Sequence, residues 1–258
     1  MYGLFAFLAV VAGVSVVVVP LLVARVKVNE GQLACVLMMG FTWCLFGAWL
    51  MDNTAHWLAG EQFGKAGISA LGGITAGIAV AYLFSWYVYQ SKQQARYLLH
   101  VAVPAVTLAH AFGRIGCYFG GCCYGVPSKL GIGVTYPAGS KAAIAYGVGT
   151  KLVPTQFIES AFLVLLTVVL LCFVKRRRIV VYFYAYGVYR YIAEFWRGDN
   201  RGAFLPFMSP SQFMSICIVV AATVILILQH IRHDDGRVVV PECLGKLRRK
   251  RVLEEENN

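Results

Sequence analysis

Long apolar runs alternate with short polar segments along the whole chain. Seven runs lie at about 1–24, 31–51, 68–90, 97–119, 155–174, 179–197 and 210–231. Each is close to the ~20 mostly apolar residues a membrane-crossing helix needs. The pattern predicts an all-α polytopic membrane protein with seven transmembrane helices. Residues 1–119 hold spans one to four, 120–153 a small head loop, 154–231 spans five to seven, and 232–258 a basic tail. The loop is glycine-rich and mixed in polarity, which suits an irregular or short-stranded fold. The first run is expected to remain as a span, because its charges, Arg25 and Lys27, follow the apolar stretch instead of preceding it.

Two helix starts are legible. Ser209-Pro210-Ser211-Gln212 places Ser at the cap, Pro at the first helical position and Gln three residues after the cap. Pro154-Thr155-Gln156 opens another helix, with Glu159 in its first turns, where a carboxylate complements the helix dipole.

Charge placement gives an orientation. With the N-terminus outside, fifteen of the 23 basic residues fall on inner segments, including Lys175–Arg178 and the tail from Arg232. Six fall outside, and Arg114 and Arg190 lie within spans. The positive-inside rule then sets the N-terminus outside, the C-terminus cytoplasmic and the 120–153 head facing outward. Mean hydropathy is +0.67 and only 14% of residues are charged, against about a quarter in soluble domains. A soluble enzyme, a disordered chain and a disulfide-stapled secreted domain are excluded. The net charge of +11 comes from basic residues between apolar runs, so it signals membrane topology and not nucleic acid.

Ionisable residues inside spans need partners and mark function. In YFYAYGVYRYIAEFWRGD, Arg190 and Glu194 are four residues apart on one helix face, with Tyr186 one turn earlier and Arg197 continuing the face outward. They form either a self-neutralising structural pair or an anion site in which Glu194 orients Arg190. The planar guanidinium fork suits phosphate. In TLAHAFGRIGCYFGGCCYG, His110 and Arg114 are also four apart, with Thr107 and Cys117 on the same stripe. Gly116, Gly120, Gly121 and Gly125 follow, letting a substrate approach the backbone beside a cation. Gly73 and Gly77 carry the spacing of a helix-packing face.

Eight cysteines occur, three of them clustered at 117, 122 and 123. The C-x4-C-C spacing lacks the usual CxxC pairing of metal sites. Neither a metal nor another cofactor is therefore expected. A disulfide among these cysteines, or thiols that pack or line the site, are the readings left open.

HAFGRIGCYFGGCCYG (110–125) resembles the arginine-glycine signature of prolipoprotein diacylglyceryl transferases. PTQFIES (154–160), GVYRYIAEF (187–195) and SPSQFMSI (209–216) resemble further segments of that family, in the family's order. GISALGG (67–73) is similar to the segment that carries His or Tyr before Gly-Gly there, although this chain has Leu71. Phe46-Gly47-Ala48-Trp49 lacks the family's second-span Arg. Cys117 and Cys122 stand where its better-known signature has Asn and an acidic residue.

The resemblance implies an enzyme of the bacterial inner membrane with seven spans and a site near the outer face. It implies transfer of the diacylglyceryl group of phosphatidylglycerol to the lipobox cysteine thiol of a prolipoprotein signal peptide, with release of glycerol 1-phosphate. The signature Arg falls on Arg114, and the late-helix Arg and Glu on Arg190 and Glu194. The candidate catalytic set is therefore His110, Arg114, Arg190 and Glu194. Here His110 is a base suggested by the residues of this chain, since imidazole chemistry near neutral pH suits a thiol. The candidate substrate-binding set is Gly116, Cys117, Gly121, Gly125, Gln156, Glu159, Tyr186 and Arg197. Expected partners are phosphatidylglycerol, the prolipoprotein and membrane lipid, with no nucleic acid. A paralogue acting on another acceptor and a lipid-binding pseudoenzyme are the alternatives.

Overall fold

A computed structural model describes residues 26–58, 60–64, 69–129, 133–199, 208–234, 236–241 and 243–244, with isolated positions between 4 and 15. Most of the expected first span, 1–24, and most of the tail lie outside these described residues. The fold is helical: α1 (Glu30–Leu58), α2 (Ala70–Tyr89), α3 (Lys92–Phe119), α4 (Lys141–Tyr146), α5 (Thr155–Cys172), α6 (Arg178–Ala193) and α7 (Pro210–Ile231). A 3-10 turn, Glu194–Trp196, continues α6. Two short strands, β1 (Lys27–Val28) and β2 (Cys243–Leu244), pair in parallel. Among the described residues, five helices, α1, α2, α3, α5 and α7, are long and apolar enough to cross a membrane, as a multi-pass membrane protein requires.

The boundaries follow local chemistry. Ser209 and Gln212 form a capping box at α7, with the Ser209 hydroxyl accepting from Gln212 N at 3.2 Å and the Gln212 side chain accepting from Ser209 N at 3.1 Å. α1 runs past the expected end at residue 51 because its polar residues are satisfied locally. Asn53 is fully buried, donates to Trp49 O at 2.8 Å and accepts from Gly64 N at 2.9 Å. α6 is shorter than its predicted span. It tightens into the 3-10 turn, and Arg197 beyond it is extended, with φ −83° and ψ 141°.

Small residues let α1 and α2 touch backbone to backbone. A Cβ at Gly77 would sit 2.9 Å from Cys44 Cβ and Gly40 O, and one at Gly73 would sit 2.7 Å from Cys44 O. This is the close helix packing expected where lipid supplies no hydrophobic drive. The main core joins Leu71, Val103, Ala111, Leu163, Tyr182, Tyr186 and Ile218, from α2, α3, α5, α6 and α7. Tyr124, Tyr136, Ala142 and Leu152 form a separate small core in the 120–153 segment. Isolated bridges Gly125↔Arg197, Pro127↔Leu152 and Val134↔Leu152 tie that segment together and to the end of α6.

Candidate active site

α3 and α5 pack side by side, and α6 closes against both. Their facing stripes place a group of ionisable side chains inside the bundle. Arg114 on α3 and Glu159 on α5 meet at 2.9 Å, with relative exposures of 4% and 2%. The Tyr186 hydroxyl on α6 donates to the same Glu159 oxygen at 2.9 Å. His110 Nε2 lies 3.8 Å from that oxygen and accepts a hydrogen bond from Arg114 Nε at 3.2 Å. That bond fixes the neutral tautomer, with the proton on Nδ1. Nδ1 itself is buried and has no hydrogen-bond partner among the described residues. The His110 ring stands edge-on to Tyr186, and Tyr186 stacks on Tyr182. Apolar and aromatic walls thus hold the imidazole in place.

The second guanidinium belongs to Arg190 on α6. Arg190 Nη1 is 2.7 Å from Glu194 Oε2, and its Nη2 donates to Ser211 Oγ at 2.9 Å. The Arg190–Glu194 contact is close without hydrogen-bond alignment, so it is a contact of charges. The Arg190 residue is 1% exposed. Ser211 sits in the first turn of α7, so the capping box that starts this helix also places a ligand for Arg190.

Arg197 does not continue the Arg190 face, because the 3-10 turn redirects the chain. It binds Asp199 in two-pronged fashion at 2.8 and 2.7 Å. Gln156 donates to Cys122 O at 2.8 Å and to Tyr136 OH at 2.7 Å, and Thr155 donates to Cys123 O at 2.8 Å. These bonds pin the loop after α3 to the start of α5. Burial pushes the Tyr136 hydroxyl up to about 12, with Gln156 acting in the opposite direction. It therefore remains a protonated donor.

The glycines divide by role. Gly121 holds φ at +64°, where a side chain is strained. A Cβ at Gly125 would lie 2.5 Å from Val153 O and 2.9 Å from Trp196 O, so the chain's own backbone fills the space beside it. Gly116 is buried within α3, and its carbonyl accepts the capping N–H of Gly120 at 3.0 Å. Cys117 follows Arg114 by about one helical turn, and its carbonyl accepts from the Cys122 thiol at 3.5 Å.

Sequence patterning pairs Arg190 with Glu194 and aligns His110 with Arg114, and both contacts form. It assigns Glu159 to a helix dipole and misses its pairing with Arg114, which spans two helices and carries no local signal. It also misses Ser211 as a ligand, although the place of Ser211 in the capping motif is legible. Leu71 is 3% exposed and belongs to the core.

Each buried guanidinium thus has its own carboxylate: Arg114 with Glu159, Arg190 with Glu194, Arg197 with Asp199. An arginine has five N–H donors, so pairing leaves donors for a further anion. Arg114 and Arg190 are thus cations already oriented and largely stripped of water. Such preorganised donors act strongly on developing negative charge.

Comparison with known proteins gives a coherent set. The sequence model of the prolipoprotein diacylglyceryl transferase family matches residues 1–228. A phosphatidylglycerol–prolipoprotein diacylglyceryl transferase of Clostridium tetani is 38% identical over 156 residues, 58% of this chain and 61% of the relative. A second protein of that name, from Clostridium perfringens, is 35% identical over 153 residues, 57% of each chain. One from Finegoldia magna is 25% identical over 242 residues, covering 88% of this chain and 89% of the relative. The chain spans about three fifths of the length of the first two relatives.

Proposed function

The chain belongs to the prolipoprotein diacylglyceryl transferase family, and on that premise we propose that it transfers the diacylglyceryl group of phosphatidylglycerol to the lipobox cysteine of a prolipoprotein. The observation that carries this reading is the pair of buried guanidiniums, Arg114 and Arg190, each held by a carboxylate inside an apolar helix bundle. A phospholipid phosphate is the anion such a membrane-embedded site suits.

In the reaction, the acceptor sulfur attacks the glycerol carbon that bears the phosphate ester. A C–S bond forms, the C–O bond to phosphate breaks, and glycerol 1-phosphate leaves. Arg114 and Arg190 hold the phosphate and stabilise the charge that builds on it. Glu159 and Tyr186 orient Arg114, and Glu194 and Ser211 orient Arg190. His110 takes the thiol proton. Its Nε2 lone pair is engaged by Arg114 Nε, so it becomes a base when an incoming phosphate takes up that donor while Nη2 stays on Glu159. Substrate binding and base release are thereby one event.

Gln156, Cys117, Gly116, Gly121, Gly125 and Arg197 shape the rim where the two substrates meet. The site belongs to the outer leaflet of a bacterial inner membrane, in a seven-span chain with its N-terminus outside. Basic residues concentrated at Lys175–Arg178 and in the tail support that orientation. Leu71 supports a second reading, transfer to another acceptor, because it supplies no proton chemistry where the family pattern has His or Tyr.

Complementation tests the main reading. A strain depleted of its own diacylglyceryl transferase is expected to grow when it expresses this chain. Failure to grow with well-expressed, membrane-inserted protein would shift the assignment to the second reading.

A further inference from the structure

The turn after α3 gathers three thiols. The Sγ atoms of Cys117, Cys122 and Cys123 all lie within 4.8 Å of one another. Sequence spacing hides this cluster, because C-x4-C-C has no resemblance to paired CxxC ligands. The backbone creates it. α3 ends at Phe119, and Gly121 reverses the chain at φ +64°. Cys123 then takes φ +62°, a left-handed conformation that residues with a side chain rarely adopt. The turn is fastened from outside the cluster by Thr155 and Gln156, which donate to Cys123 O and Cys122 O, each at 2.8 Å. The strained residue is thus held at the place where its thiol meets the other two.

We propose that Cys117, Cys122 and Cys123 form a three-thiolate site for a soft d10 metal ion, Zn(II) or Cu(I), beside Arg114. Metal–thiolate bonds of about 2.3 Å set the sulfurs of such a site roughly 4 Å apart, so small side-chain rotations bring the existing group to ligating geometry. Sulfur ligands select soft ions over calcium or magnesium. Among the described residues the group holds three cysteines and no carboxylate or imidazole, which leaves an all-sulfur donor set.

Charge fits as well. On binding, each thiol gives up its proton to solvent and a sulfur–metal bond forms, displacing metal-bound water. Three thiolates around Zn(II) carry one net negative charge, and around Cu(I) two. Arg114 Nη1 lies 3.6 Å from Cys123 Sγ, where a guanidinium favours the thiolate. Three protein ligands leave a further coordination position open. The inference rests on the thiol geometry alone and stands independently of the transferase reading.

The test uses the full chain in detergent, reduced with a phosphine and desalted after one equivalent of Zn(II) or, in a parallel arm, Cu(I). Elemental analysis is expected to find one ion retained per chain in at least one arm, and the arms identify which ion. Cys117→Ser, Cys122→Ser and Cys123→Ser should each lose it, while Cys172→Ser and Cys217→Ser keep it. A parallel readout needs no variant: the bound ion should protect Cys117, Cys122 and Cys123 from iodoacetamide and leave Cys217 reactive. No retained ion in either arm, retention by all three serine variants at the cluster, or protection confined to other cysteines would overturn the proposal.

Discussion

Glu159 faces Arg114 across 2.9 Å between α5 and α3, in the interior of the bundle. The same carboxylate oxygen receives the Tyr186 hydroxyl at 2.9 Å. One acidic side chain therefore ties three helices together and fixes the direction of a buried guanidinium. Removing one partner of a buried pair leaves the other charge uncompensated, at a cost of about 3–5 kcal/mol. Glu159→Gln is expected to lower thermal stability by that order and to lose transfer activity. Tyr186→Phe, which removes a single neutral donor, should cost about 0.5–1.5 kcal/mol. Thermal unfolding of the two variants in one detergent compares them. Equal stability of Glu159→Gln and the native chain would show that the pair does not hold the bundle.

The second prediction separates charge from geometry. Arg190→Lys keeps a cation beside Glu194 but loses the fork that reaches both Glu194 and Ser211. Transfer is expected to fall about 100- to 1000-fold, the range seen when one preorganised donor is removed from a reaction centre. Size-exclusion behaviour should stay that of the native chain. Full activity in Arg190→Lys would reduce Arg190 to a point charge.

How much of this is legible in the sequence depends on distance along the chain. Arg190–Glu194 and His110–Arg114 are four residues apart, so helical periodicity announces them. The Ser209 cap announces the start of α7, and through it the position of Ser211. Glu159 is different: its partner lies on another helix, and only packing brings the two together. The thiol cluster depends on a left-handed Cys123, which no residue preference signals. Helical spacing puts Arg197 on the Arg190 face, because nothing in EFWRGD announces the 3-10 turn that swings it toward Asp199.

Helix packing supplies the third prediction. Gly77→Val would drive a branched side chain into Cys44 and the Gly40 carbonyl, both 2.9 Å from its Cβ. Overpacking of this kind costs about 1–3 kcal/mol. The melting temperature should fall, while Gly139→Val, whose Cβ meets nothing within 4 Å, tests only backbone strain at φ +81°. A Gly77→Val variant as stable as the native chain would mean that α1 and α2 separate more easily than their contact suggests.

The fourth prediction concerns pH. Asp234 pairs with Arg96 at 2.6 Å and accepts from Gly236 N at 3.0 Å. The Gly236 N–H, the largest influence, and Arg96 together hold its carboxyl below the ordinary carboxylate value, against the opposing effect of burial. A lowered folded pKa means the contact stabilises fully above the unfolded value near pH 4. That contribution is lost as the pH falls through the folded value. Arg96 is half exposed, so the contact is worth about 0.2–1 kcal/mol. Asp234→Asn should remove this small acid-side loss from a stability–pH curve, and an unchanged curve would show that Asp234 does not contribute to it.

The central claim is tested most directly by transfer itself. Purified chain is mixed with phosphatidylglycerol labelled in its diacylglyceryl part and a lipobox peptide, and thioether-linked product is counted across a pH series. The native chain should form labelled peptide and release glycerol 1-phosphate. Arg114→Lys should lose about 100- to 1000-fold, and His110→Gln should abolish transfer. No labelled peptide from folded native chain, or full turnover by Arg114→Lys, would contradict the assignment.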